Sequence, residues 1–196
     1  TSEFLKIAQS SAESLLTILN DILDVSKIEA GKLSIDNMPF EFATLISEVL
    51  RLMEPLINDK GLAHHLTIPL DLPETLIGDP LRIRQVLLNL IGNALKFTRQ
   101  GSIAVDVKIF AKNETSVTLK IIISDTGIGI PSDRLEAIFH AFTQADGSTT
   151  RDFGGTGLGL TISSQLVELM GGKLSVESKE GEGSTFCFTL PLARIL

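Results

Sequence analysis

Glycine is spread very unevenly along this chain: eleven of its sixteen glycines lie at or after Gly127, and four crowd into residues 154–159. Loops of this composition let backbone N–H groups approach phosphate oxygens closely. They sit in an ordered set. Asn89, Asn93, Lys96 and Phe97 come first, then Asp125-Thr126-Gly127-Ile128-Gly129, then Phe139 and Phe142, then the run from Gly154 to Leu160. Taken together, these residues read as a nucleotide pocket.

The 196 residues allow one domain, or one with a short appendage. A hydrophobic content of 43% supplies one good core and excludes a disordered tail. The formal charge of −7, with no basic stripe to offset it, argues against nucleic-acid binding, so any polyanion must be held locally. Cys187 is the only cysteine and can form no internal disulfide, which fits a reducing compartment and a cytoplasmic location. No signal peptide is recognisable, and no apolar run approaches the roughly 18 residues of a membrane span. The chain opens within a helical pattern and without methionine, so a parent protein can carry membrane anchors upstream.

Leu5, Ala8, Ala12, Leu15, Leu19 and Ile22 are spaced alternately three and four apart, with Leu16, Leu23 and Ile28 widening the stripe. This predicts one helix of a coiled bundle; the alternative is an amphipathic helix packed on its own domain. Gly31 is the expected stop, and residues 36–39 read as a linker. A helix from about Ala43 to Lys60 follows, which Pro55 should kink or shorten, and then a strand around residues 62–68. Asp79-Pro80 predicts an N-cap and first-turn proline for a helix reaching about Thr98. Alternation at Ile103, Val105, Val107 and Ile109, and again at Val117, Leu119, Ile121 and Ile123, predicts an antiparallel hairpin turning near Lys112-Asn113. A short helix near 133–141, a polar stretch to Gly157, a helix at 158–170 and strands near Leu174 and at 186–190 complete the reading. The order predicts an α+β fold, a two-layer α/β sandwich with helices on one face of a mostly antiparallel sheet, preceded by the bundle helix.

At about 100° per residue, Arg82, Gln85, Asn89, Asn93 and Lys96 share one narrow line on their helix, walled by apolar residues. An amide-rich stripe of this kind suits a ligand, although a wet surface is the plain alternative. Asn oxygens suit Mg²⁺, and Lys96 supplies a point charge for phosphate. Asp125 continues the apolar face of its strand, so its carboxylate should be buried and in need of a partner; adenine's amino group could donate to it. A turn-capping Asp before Gly is the competing reading. The run from Gly154 into a helix offers free N–H groups and a positive helix end to anions.

The four motifs in this order, with Gly181-Glu182-Gly183-Ser184-Thr185-Phe186 closing the set, resemble the ATP-binding catalytic domain of sensor histidine kinases over residues 37–196. Residues 1–33, with Asp24 to Lys32, resemble the second helix of the dimerisation and phosphotransfer domain of the hybrid type. The resemblance implies the histidine kinase, gyrase and Hsp90 ATP-binding fold, with ATP and Mg²⁺ bound. It implies that Asn93, with Asn89 beside it, holds Mg²⁺, that Asp125 meets adenine, and that Gly127 and Gly129 floor the base. Lys96, Arg151 and the backbone of Gly155, Thr156, Gly157, Leu158 and Gly159 would meet the phosphates. Residues 143–154 would form a mobile lid hinged by Phe139 and Phe142, and Thr185 would reach adenine through water. The implied partners are a second copy of the protein through the helix bundle and a response regulator or receiver domain.

The family's phosphoacceptor, a histidine followed by an acidic residue, is absent. His64, His65 and His140 read as surface or packing residues, so the acceptor is expected upstream of this chain. The hydrolytic relatives carry a glutamate four residues before the Mg²⁺ asparagine; Asn89 stands there, favouring transfer to histidine over attack by water. A gyrase- or Hsp90-type ATPase and an inactive nucleotide-binding interaction module remain the rival readings.

Overall fold

The structure is a computed structural model that describes residues 2–140 and 157–195. Helix α1 (Ser2–Glu29) ends at Gly31, whose φ of +63° and N–H to the Ile28 carbonyl make it the expected stop. Helix α2 (Phe42–Asp59) runs through Pro55 rather than ending there. Arg51 and Pro55 both lie on its exposed side, where water can satisfy the carbonyl that proline leaves unpaired. Helix α3 (Pro80–Phe97) starts as predicted: Asp79 Oδ1 accepts the Arg82 N–H at 3.0 Å, with proline in the first turn. The other Asp79 oxygen accepts the N–H of Asp36, so this 4% exposed carboxylate also anchors the segment leaving α1. Helix α4 (Gly159–Leu169) follows the glycine run.

The seven strands are β1 (Met38–Phe40), β2 (Ala63–Thr67), β3 (Leu76–Gly78), β4 (Ser102–Lys112), β5 (Ser116–Asp125), β6 (Leu174–Lys179) and β7 (Gly183–Arg194). They form one sheet ordered β1-β3-β7-β5-β4-β2, with β6 also paired to β7. Every pairing is antiparallel except β2 with β4. Strand β7 runs beside the whole length of β5. Its other edge is divided between β6, at residues 183–188, and β3, at 193–194. Helices α2, α3 and α4 bury their apolar faces with the alternate residues of β4, β5 and β7, giving the two-layer sandwich that the pattern predicts.

Three departures are local. The expected linker at 36–39 contributes β1, and β3 was not anticipated; each has only three residues, too few to display alternation. The expected helix near 133–141 is two 3₁₀ turns, Ser132–Arg134 and Ala137–Phe139, as far as residue 140. Helix α1 packs on its own domain through its C-terminal end and leaves much of its apolar stripe exposed. Val25 and Ile28 pack against the main core, while Leu5, Leu15, Leu16, Leu19 and Ile22 are 45–68% exposed.

Candidate nucleotide site

The site forms where the C-terminal ends of α3 and β5 meet the turn between β6 and β7. Asp125 ends β5 on its buried face and is 9% exposed. Its Oδ1 accepts the N–H of Gly127 at 2.8 Å, and the Ser184 backbone and Thr98 hydroxyl also lie against the carboxylate. Burial nevertheless pushes its pKa above the ordinary carboxylate value, the desolvation outweighing these hydrogen bonds. The turn-capping reading is thus realised together with the buried one. A carboxylate has about four acceptor positions, so capacity remains for a donor from a ligand.

The glycines of the Asp-Thr-Gly-Ile-Gly loop answer first to the protein. A Cβ on Gly127 would lie 2.5 Å from the Phe97 carbonyl oxygen. Gly129 has φ +69°, and a Cβ there would overlap the Lys179 carbonyl. The loop is held on both sides: Ile128 N–H donates to Phe97 O, and Gly181 N–H donates to Ile128 O. Ser178 reinforces this, its hydroxyl accepting the Ile130 N–H at 2.8 Å and lying 3.0 Å from the Ser184 hydroxyl.

The structure divides the stripe on α3. Arg82 and Gln85 both donate to Asp24 of α1, at 3.2 and 2.8 Å, and are therefore engaged by the leading helix. Asn89 donates to Ser163 Oγ of α4 at 2.8 Å, and its Oδ1 occupies the space that a Cβ on Gly159 would need. Asn89 thereby joins α3 to the N-terminus of α4, where Gly157 adopts φ +70° and Leu158 is buried. Farther along the helix, Asn93 and Lys96 are half-buried. The Lys96 ammonium sits 4.9 Å from the Phe97 ring centroid, and burial lowers its pKa. An anionic ligand would offset that desolvation.

Thr185 stands on the other face of the sheet from Asp125. It is the cross-strand partner of Ser124, and the two hydroxyls lie 3.0 Å apart. The residue of this motif opposite Asp125 is Ser184, 7% exposed. Period-two alternation separates the two neighbours, and only the β5–β7 register decides which faces the site. Sequence reasoning also passed over Thr98, fully buried at the end of α3, and Ser178. Phe142, Arg151, Gly155, Thr156 and the lid at 143–154 lie outside the described residues. Phe139 is half-buried, and its carbonyl accepts the Thr161 hydroxyl of α4. His64, His65 and His140 are exposed, as expected. Among the described residues, no helix is long and apolar enough to cross a membrane, and no cluster of three His, Cys, Asp or Glu side chains could hold a metal. A metal at this site would instead rely on amide oxygen and on a ligand's own phosphates, a donor set that suits Mg²⁺.

Comparison with known proteins gives the same picture. Residues 78–194 match the family described as histidine kinase-, DNA gyrase B- and HSP90-like ATPases. The sensor histidine kinase GacS of Pseudomonas protegens is 47% identical over 192 residues, covering 98% of this chain and 21% of GacS. The structure of full-length ShkA in complex with AMPPNP superposes with a TM-score of 0.82 at 32% identity, over 99% of this chain and 39% of that one. ThkA in complex with the response regulator protein TrrA superposes with a TM-score of 0.67 at 27% identity, over 96% of this chain and 50% of that one. The chain thus spans about a fifth of the length of its curated relative. The chain belongs to the family of histidine kinase-, DNA gyrase B- and HSP90-like ATPases, and the relatives it resembles here are sensor histidine kinases.

Proposed function

We propose that this chain is the ATP-binding catalytic module of a two-component protein-histidine kinase, transferring the γ-phosphoryl group of MgATP to a histidine upstream of residue 1. The observation that carries this reading is the buried Asp125 carboxylate, held by backbone donors with acceptor capacity to spare, at the end of the strand beside α3. In it, adenine's amino group donates to Asp125, with Ser184 and Thr98 beside it. Lys96 and the N-terminal amides of α4 meet the phosphates, and Asn93 presents its amide oxygen to Mg²⁺. Mg²⁺ when bound neutralises charge on the phosphate oxygens. Asn89 serves the site by fixing α4 against α3 through Ser163.

The transfer is an in-line displacement. A neutral imidazole nitrogen of the acceptor attacks the γ-phosphorus, the bond to the β,γ-bridging oxygen breaks, and ADP leaves with the electron pair. Imidazole has an unperturbed pKa near 6.5 and needs little base catalysis at pH 7, so positioning and charge neutralisation suffice. Asn89 occupies the place where hydrolytic relatives carry a glutamate, and its amide donates to Ser163. It cannot act as a base toward water, which favours transfer over hydrolysis.

In the same reading residues 1–33 are the second helix of a dimerisation and phosphotransfer domain, and residues 37–196 the catalytic domain. The exposed leucines of α1 support a homodimer through a helix bundle in the intact protein. The resemblance to ThkA, solved with a response regulator, supports a receiver domain as the downstream acceptor. A cytoplasmic location suits the single cysteine. The test is labelling with γ-radiolabelled ATP. The chain alone should stay unlabelled, and joining it to an upstream helix that bears a histidine followed by an acidic residue should give an acid-labile, base-stable phosphoryl group. Stoichiometric labelling at His64, His65 or His140, or rapid phosphate release without an acceptor, would overturn the proposal.

A further inference from the structure

We infer that Lys60 is a positioning residue for base recognition, a role that rests on the reading of Asp125 as the adenine acceptor. Lys60 is the C-cap of α2, yet its ammonium crosses to the far end of α3. It donates to the Leu95 carbonyl at 2.6 Å and lies 3.4 Å from the carbonyls of both Lys96 and Thr98. The last carbonyls of a helix have no N–H partner within it, and a cation there also meets the negative end of the helix dipole.

The carbonyls around this end are fully accounted for. Ala94 O takes the N–H and the hydroxyl of Thr98, at 3.1 and 2.7 Å. Leu95, Lys96 and Thr98 share Lys60, and Phe97 O takes the Ile128 N–H at 3.3 Å. The end of α3 is therefore fixed from two sides, by Lys60 and by the Asp-Thr-Gly-Ile-Gly loop. A cap that served the helix alone would need only the carbonyls of the last turn. Lys60 also holds the carbonyl of Thr98, the residue beyond the helix whose hydroxyl lies against Asp125. The Phe97 carbonyl between them is the surface on which Gly127 packs. Loss of the ammonium frees the turn that forms one wall of the base site. Recognition sites tolerate displacements of only about 0.5 Å before affinity falls.

The test compares Lys60→Met, which keeps the apolar stem, with Lys60→Arg, which returns a cation. Calorimetry of each full chain with ADP and GDP is paired with amide hydrogen exchange without nucleotide. Lys60→Met should raise the Kd for ADP about tenfold and that for GDP much less. The Ile128 amide should exchange faster while those of Leu87 to Ile91 are unchanged, and Lys60→Arg should restore both properties. Should Lys60→Met fail to fold, Lys60→Gln, which keeps a donor without charge, is measured against the same two outcomes. A lowered Tm with an unaltered preference for ADP over GDP would make Lys60 a helix cap and nothing more, and failure of Lys60→Arg to recover the preference would equally overturn the inference. Asp125→Asn separates the two levels. If it too leaves the preference unaltered, the adenine reading falls; if it abolishes the preference and Lys60→Met does not touch it, only the role of Lys60 falls.

Discussion

Asp125→Asn keeps the shape of the side chain while replacing one acceptor oxygen by a donor, and its consequences for binding and for stability can be worked separately. In the folded chain the carboxylate takes the Gly127 N–H at 2.8 Å, with the Ser184 backbone and the Thr98 hydroxyl beside it. The asparagine oxygen can retain the Gly127 bond, which leaves the new amino group facing the ligand. Adenine presents a donor there, so a charge-assisted hydrogen bond worth about 1.5–3 kcal/mol is lost and two donors are set against each other. A loss near 3 kcal/mol corresponds to a roughly 150-fold weaker Kd for ATP. Guanine presents an acceptor at the same position, so GTP binding should fall far less. Stability carries the second signature. Burial raises the folded-state pKa of Asp125 above the ordinary carboxylate value, so the folded chain holds this proton more tightly than the unfolded one. The resulting stability is fully present below the unfolded pKa and is lost as pH rises through the raised folded value. Asparagine does not titrate, so urea melts from pH 3 to pH 7 should show the wild type losing ground to the variant as pH rises. Calorimetry with ATP, ADP and GTP at pH 7 checks the first signature. Equal losses for ATP and GTP, or a stability difference flat across the pH range, would refute the reasoning.

Asn93→Ala should abolish the Mg²⁺-dependent part of ATP binding and leave adenosine binding unchanged, which titrations with and without the metal can separate; equal loss with both ligands would contradict the metal role. Gly129→Ala combines a φ of +69° with an overlap against the Lys179 carbonyl, whereas Gly181→Ala, at φ +80°, meets open space. Denaturant unfolding should show Gly181→Ala costing about 1 kcal/mol and Gly129→Ala at least about 2 kcal/mol more, and equal costs would remove the packing argument. Asp24→Ala deletes the carboxylate shared by Arg82 and Gln85 at a half-buried contact. It should cost about 1–2 kcal/mol and speed amide exchange in the C-terminal turns of α1, which unaltered exchange there would disprove.

Local chemistry alone determined a good part of this protein. The Asp79-Pro80 start of α3, the Gly31 stop of α1 and the alternation along β4 and β5 are short-range physics: a cap, a permitted positive φ and a period of two. The burial of Asp125 follows from the same alternation, and the motif order was enough to suggest the fold and the nucleotide. What lay beyond it depends on partners distant in the chain. Ser184, and not Thr185, faces Asp125 because of the register between β5 and β7, across some 60 residues. Arg82 and Gln85 leave the expected ligand stripe because Asp24 arrives from another helix, and Asn89 turns to Ser163 because α4 packs there. Strands β1 and β3 exist because β7 extends past β6 and offers an edge that Leu76 and Ile77 of β3 can complete. Lys60 closes the end of α3 from α2 for the same kind of reason. A residue's own pattern reports which face it occupies, and only the packed chain decides what stands opposite that face.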